Sequence, residues 1–114
     1  MNKEENMVKC IGDAILDRKG TDVVSLHVGS VSTMADYFVL ASASSKPQLD
    51  ALIDSVEEAM KNNEYELRSR EGRSTGGWVL LDYGSVIVHL FSNEMREFYN
   101  LDGTWRDAEK TVIQ

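Results

Sequence analysis

Gly29-Ser30, placed where a strand should end and followed by Asp36, is the part of this chain that comes nearest to phosphate chemistry. Nucleotidyl transfer at a Gly-Ser turn needs two carboxylates two residues apart on the next strand, because the pair clamps two Mg²⁺ ions. Asp36 is followed by Tyr37 and Phe38, so the second carboxylate is missing. The GxGxxG and GxxxxGKS/T patterns are absent too, which removes the usual nucleotide cradles. His27, His89 and Cys10 are scattered over separate elements without the short spacings of a structural zinc site. Neither a metal nor a cofactor is expected. Cys10, beside Ile11 on an amphipathic helix, reads as a small buried side chain rather than an activated nucleophile. Asp82 and His89 share one face of a hairpin and would make a general-base pair, but no nucleophile or oxyanion donor accompanies them. The residues argue against an enzyme.

Alternating helical and extended segments carry these side chains. Between Glu4 and Arg18, Met7, Val8, Ile11, Ala14 and Ile15 recur at helical spacing, and Gly20 stops the helix. Asp22–Val28 reads as a strand, Gly29–Ala35 as a small-residue loop, and Asp36–Ala41 as a second strand. Ser45 is placed to cap a second helix, with Pro47 in its first turn and Gln48 completing a capping box. Leu49, Leu52, Ile53, Val56, Ala59 and Met60 give that helix one apolar face, running to about Lys61. Tyr65–Arg68 is predicted as a short edge strand and Arg70–Gly77 as a mobile loop. A hairpin, a short helix over Glu94–Tyr99 and a final segment with Trp105 complete the order α-β-β-α-β-β-β-α. That order predicts a single α/β domain whose mixed central sheet is flanked by helices.

The hairpin is the most informative element. Its turn is best drawn with Gly84-Ser85 at the centre, because a type II′ turn wants Gly first, where φ is positive. Alternation then puts Val79, Leu81, Tyr83, Val86, Val88 and Leu90 on one face, which looks like core. Trp78, Leu80, Asp82, Ser85, Ile87, His89 and Phe91 fall on the other. That second set mixes large rings and aliphatics with a carboxylate and an imidazole, as partner-binding surfaces do. The plainer alternative is that the chain's own helices cover both faces.

At 114 residues, 42% hydrophobic and 27% charged, the chain has the size and composition of one globular domain. No apolar run approaches the ~20 residues needed to span a bilayer. The opening MNKEENMVK has no hydrophobic signal core, and the lone cysteine excludes an internal disulfide, so a cytoplasmic location is expected. A net charge of −7 disfavours a phosphate backbone as partner and favours a basic protein. The densest basic group, Arg68, Arg70 and Arg73, is interrupted by Glu71 and reads as a solvated loop.

Several of these residues together resemble one family. Asp36-Tyr37-Phe38-Val39, the Gln48 helix, Glu71-Gly72, Gly77-Trp78-Val79-Leu80-Leu81-Asp82-Tyr83-Gly84, Val88-His89, Phe91, Arg96, Phe98-Tyr99, Leu101 and Trp105-Arg106-Asp107-Ala108 look like the Iojap family of ribosomal silencing factors (RsfS). The match covers about residues 5–108, in the family's order. It departs at Ser42-Ala43-Ser44-Ser45 with Pro47-Gln48, at Ser85 and at Leu101-Asp102. The resemblance implies a nucleotidyltransferase-like fold without the catalytic carboxylates. It further implies a non-enzymatic bacterial factor that binds the large ribosomal subunit through its fourteenth protein. Occupying that surface blocks joining of the small subunit and represses translation when nutrients are short. Family members also tend to form homodimers. No membrane association or direct nucleic-acid specificity is implied.

On this reading Trp78, Leu80, Asp82, Tyr83, His89, Arg96 and Tyr99 are the partner-binding residues. Tyr99 is expected at the partner and Phe98 in the core, Arg96 shares the side of Tyr99, and Trp105 anchors the tail. The competing reading is a nucleotidyltransferase-related enzyme or nucleotide-binding module with a degenerate site near Gly29, Ser30 and Asp36.

Overall fold

The computed structural model describes residues 2–114. Its elements are α1 (Lys3–Asp17), β1 (Thr21–His27), β2 (Tyr37–Ala43), α2 (Lys46–Asn62), β3 (Ser69–Arg73), β4 (Trp78–Asp82), β5 (Val86–Ser92), α3 (Asn93–Tyr99), α4 (Leu101–Thr104) and β6 (Glu109–Val112). A single 3₁₀ turn, Ser74–Gly76, separates β3 from β4. The strands form one six-stranded sheet in the order β3-β4-β5-β2-β1-β6. The β2–β5 pair at its centre is parallel, and the other ladders among the described residues are antiparallel. The fold is therefore a mixed α/β domain with helices against the sheet, as the element order predicts.

Local chemistry explains the helix starts. The Asn2 side chain accepts from the Glu5 N–H at 2.8 Å and the Glu5 carboxylate accepts from the Asn2 N–H at 3.3 Å, a complete capping box on α1. The box predicted for α2 forms only in part. Ser45 Oγ accepts from the Gln48 N–H at 3.2 Å, but Gln48 Oε1 takes the N–H of Ser44, one residue further out, at 2.7 Å. Gln48 Nε2 donates to the carbonyls of Arg18 and Lys19, so this side chain ties the start of α2 to the end of α1.

The hairpin has the predicted turn. Gly84 has φ 88°, and Tyr83 N–H donates to the Val86 carbonyl at 2.9 Å. Asp82 Oδ1 accepts the Gly84 N–H at 2.7 Å and braces the turn. One hairpin face is fully covered and the other only in part. Val79, Leu81, Tyr83, Val86, Val88 and Leu90 lie in the main core beneath α1 and α2. Ile87 and Phe91 lie in a second core with Val24, Leu26, Phe38 and Leu40, closed by Met95, Leu101 and Trp105. Trp105 thus anchors the tail, standing edge-on to Phe38 at 5.2 Å. Each fully buried Leu, Ile or Phe contributes about 1.5–3 kcal/mol, so two cores explain why so short a chain holds six strands.

Three expectations about strands need correction. The edge strand lies at Ser69–Arg73 rather than Tyr65–Arg68, because Tyr65 and Leu67 are drawn against the main core while the ladder starts at Arg68 N–H to Asp82 O. Most of the predicted loop Arg70–Gly77 is therefore strand and 3₁₀ turn. Its Gly72, at φ 84°, lies so close to the Trp78 carbonyl that a Cβ would collide with it. Finally, the last segment, expected only to carry Trp105, also contributes β6, which pairs with β1 although Glu109–Val112 shows no apolar alternation.

Candidate functional site

The sheet face opposite α1 and α2 carries the sequence-predicted surface, and β4, β5 and α3 position it. Cross-strand pairing sets Trp78 opposite Phe91 and Leu80 opposite His89. The indole stacks on Phe91 at 5.3 Å between ring centres, meets Tyr99 at 4.4 Å, and donates its N–H to His89 Nδ1 at 3.2 Å. Acceptance at Nδ1 leaves the imidazole proton on Nε2, which is buried without a hydrogen-bond partner among the described residues. Burial pushes the His89 pKa down to about 4, so the ring is neutral at physiological pH.

Helix α3 decides which ring faces outward. Met95 packs on the second core, and Tyr99, four residues on, follows it onto the Trp78 ring. Phe98 is turned off that line and is 73% exposed, against 42% for Tyr99. The assignment of Phe98 to the core is thus corrected, and it is the aromatic surface residue that sequence reasoning missed. Only the phase of a seven-residue helix against its sheet separates the two rings.

Arg96 also has a different place. Its guanidinium pairs bidentately with Asp102 at 2.9 and 3.1 Å and donates to the Asp22 carbonyl and Ser42 Oγ. These bonds hold Asp102 below the usual carboxylate range and fasten α3 and α4 to β1 and β2. Arg96 is an internal clamp.

Two further residues of the predicted surface are buried. Tyr83 lies on the main-core side, where burial pushes its pKa up to about 12, and His89 lies beneath Trp78. Asp82 is partly covered and braces its own turn. Trp78, Leu80 and Tyr99 remain half-open on one side of the sheet, with Phe98 beyond them. An aromatic and aliphatic surface over a neutral imidazole can bind a partner, but it offers no nucleophile.

The degenerate phosphate motif lies elsewhere. A Cβ on Gly29 would come within 3.1 Å of Asp36 Oδ1 and 3.5 Å of His27 Nε2, so the fold brings these three residues together. His27 stacks on Tyr37 at 4.6 Å. Among the described residues no group of three or more His, Cys, Asp or Glu side chains could hold a metal ion. Cys10 is only half-buried, where the core position was expected. Its thiol lies 3.5 Å from Asn63 Nδ2, and burial raises its pKa, against a reactive thiolate. No helix among the described residues is long and apolar enough to cross a membrane.

Known proteins share this fold. A family model described as "Ribosomal silencing factor during starvation" matches residues 1–114. The ribosomal silencing factor RsfS of Halalkalibacterium halodurans is 31% identical over 96% of this chain and 94% of its own length. The RsfS of Zymomonas mobilis is 34% identical over 89% of this chain and 76% of its own. A crystal structure of a Chromobacterium violaceum protein superimposes with a TM-score of 0.86 at 30% identity, covering 92% of this chain and 87% of that one.

Proposed function

From the premise that this chain belongs to the ribosomal silencing factor family, we propose that it binds the fourteenth protein of the large ribosomal subunit. By occupying the intersubunit side of that protein it keeps the small subunit from joining and represses translation when nutrients are short. The protein acts in the bacterial cytoplasm, without catalysis, and free copies pair as a homodimer.

The observation that supports this reading is the half-open Trp78–Tyr99 pair, bordered by Leu80 and Phe98, on a chain of net charge −7. Clustered, partly exposed aromatic rings are what anchor protein interfaces, and an acidic chain is steered toward a basic ribosomal protein. The second reading, a nucleotidyltransferase-related enzyme or nucleotide-binding module, would use Gly29, Ser30 and Asp36, with His27 beside Gly29. A lone carboxylate counts against it. Sucrose-gradient sedimentation tests occlusion: the protein should travel with free large subunits and be scarce on assembled ribosomes. Equal occupancy of both would overturn it.

A further inference from the structure

One edge of the sheet is open and flanked by grooves. β6 stands last in the strand order and, among the described residues, pairs on one side only, with β1. Ile113 donates its N–H to the Val23 carbonyl at 2.8 Å. By the alternation of an antiparallel ladder, the N–H and C=O groups of Lys110 and Val112 therefore point away from the sheet. Such a row is a template for another extended chain.

The grooves lie one on each face of this edge. On the α1 side, a groove of about 340 Å³ has largely apolar walls from Val8, Gly12 and Ile113. On the other face, a groove of about 390 Å³ runs past Val24, Glu97, Asn100 and Val112, and Val112 is 67% exposed. Side chains of an extended segment alternate between faces, so an added strand would set successive side chains into one groove and then the other.

Charge selects the occupant. Glu5, Asp22 and Glu97 line the grooves and Glu109 lies on β6 itself, and none forms an ion pair among the described residues. The cations nearby are engaged: Lys9 pairs with Asp13, Arg96 with Asp102, and Lys110 lies 4.0 Å from Asp102. We propose that the β6 edge docks an extended, lysine- or arginine-rich segment of a partner protein as a seventh strand. A second copy presenting its arginine-bearing β3 edge would leave its own β6 open. Head-to-tail pairing of that kind propagates rather than closes.

The probe is an end-capped peptide of alternating lysine and valine, with a glutamate–valine peptide as control, followed by residue-resolved amide exchange on the full chain. The lysine peptide should slow exchange at Lys110 and Val112 by about tenfold and leave Ser69–Arg73 unchanged, while the control does nothing. Val112→Pro removes an outward N–H that the β1 ladder does not use, so it should keep the fold and weaken peptide binding about tenfold. Should it not fold, Glu97→Lys with Glu109→Lys carries the same expectation. Equal protection by both peptides, protection at β3, or undiminished binding by the folded variant overturns the proposal. So does dissociation of the free homodimer by Val112→Pro, which would assign the edge to a second copy.

Discussion

The indole N–H of Trp78 ends on Nδ1 of His89, 3.2 Å away across the hairpin. One bond therefore fixes both the tilt of the half-exposed ring and the tautomer of the buried one. A face that presents aromatic surface outward is held from within by a group that must stay neutral.

Trp78→Ala should show two losses in one variant. Removing a half-buried ring stacked on Phe91 and Tyr99 should cost about 2–3 kcal/mol of folding stability. The same change should weaken binding to the large-subunit protein by about 2 kcal/mol or more. Denaturant unfolding at two protein concentrations and a binding titration separate the terms. Unchanged affinity in the folded variant would remove Trp78 from the contact surface.

Acid should loosen the same face. The His89 pKa is lowered from 6.5 to about 4 in the folded chain, so the unfolded chain binds the proton more readily. Stability from this residue is complete above pH 6.5 and falls as pH drops toward 4. Between pH 7 and pH 5, where most carboxylates remain charged, the loss is about 2 kcal/mol. The stability lost between the two pH values should be larger by that amount in the wild type than in His89→Gln. Parallel curves would show that His89 is not the group.

Arg96→Met should destabilise by about 2–3 kcal/mol, since it leaves the partly buried Asp102 carboxylate without its bidentate partner. Amide exchange should quicken in α3 and α4 before it does in α1 or α2. Wild-type stability with weakened ribosomal binding would instead return Arg96 to the contact surface.

Nucleoside triphosphate with Mg²⁺ should leave the melting temperature unchanged, because a ligand raises it only by binding the folded state. A rise abolished by Asp36→Ala would revive the nucleotide reading.

Much of this was legible in the residues, and the exceptions share a cause. The α1 and α2 helices, the hairpin turn at Gly84 and the α/β order follow from apolar spacing and one glycine. Strands β3 and β6 do not, because SREGR and EKTV are edge segments exposed along their whole length, so no alternating burial marks them. Trp78, Leu80 and Tyr99 do share one partly open face, as alternation and the short helix implied. Its members could not be sorted, because exposure of Phe98 against Tyr99, and the capture of Arg96 by Asp102, depend on how α3 and α4 sit across the sheet. Tyr83 shows the reverse: alternation already placed it on the core face, and only the family resemblance argued otherwise.

The parallel pairing of β2 with β5 bears on how the chain assembles. Tyr37 meets Val86 only after α2, β3 and β4 have been threaded between them. The β4–β5 hairpin can close locally, whereas the central ladder must first overcome the entropy of a long loop. The rate-limiting event in refolding should therefore be the docking of that hairpin onto β2. Substitutions in Val39 or Val88 would slow folding, while changes at Val112, on the opposite rim, would mainly hasten unfolding.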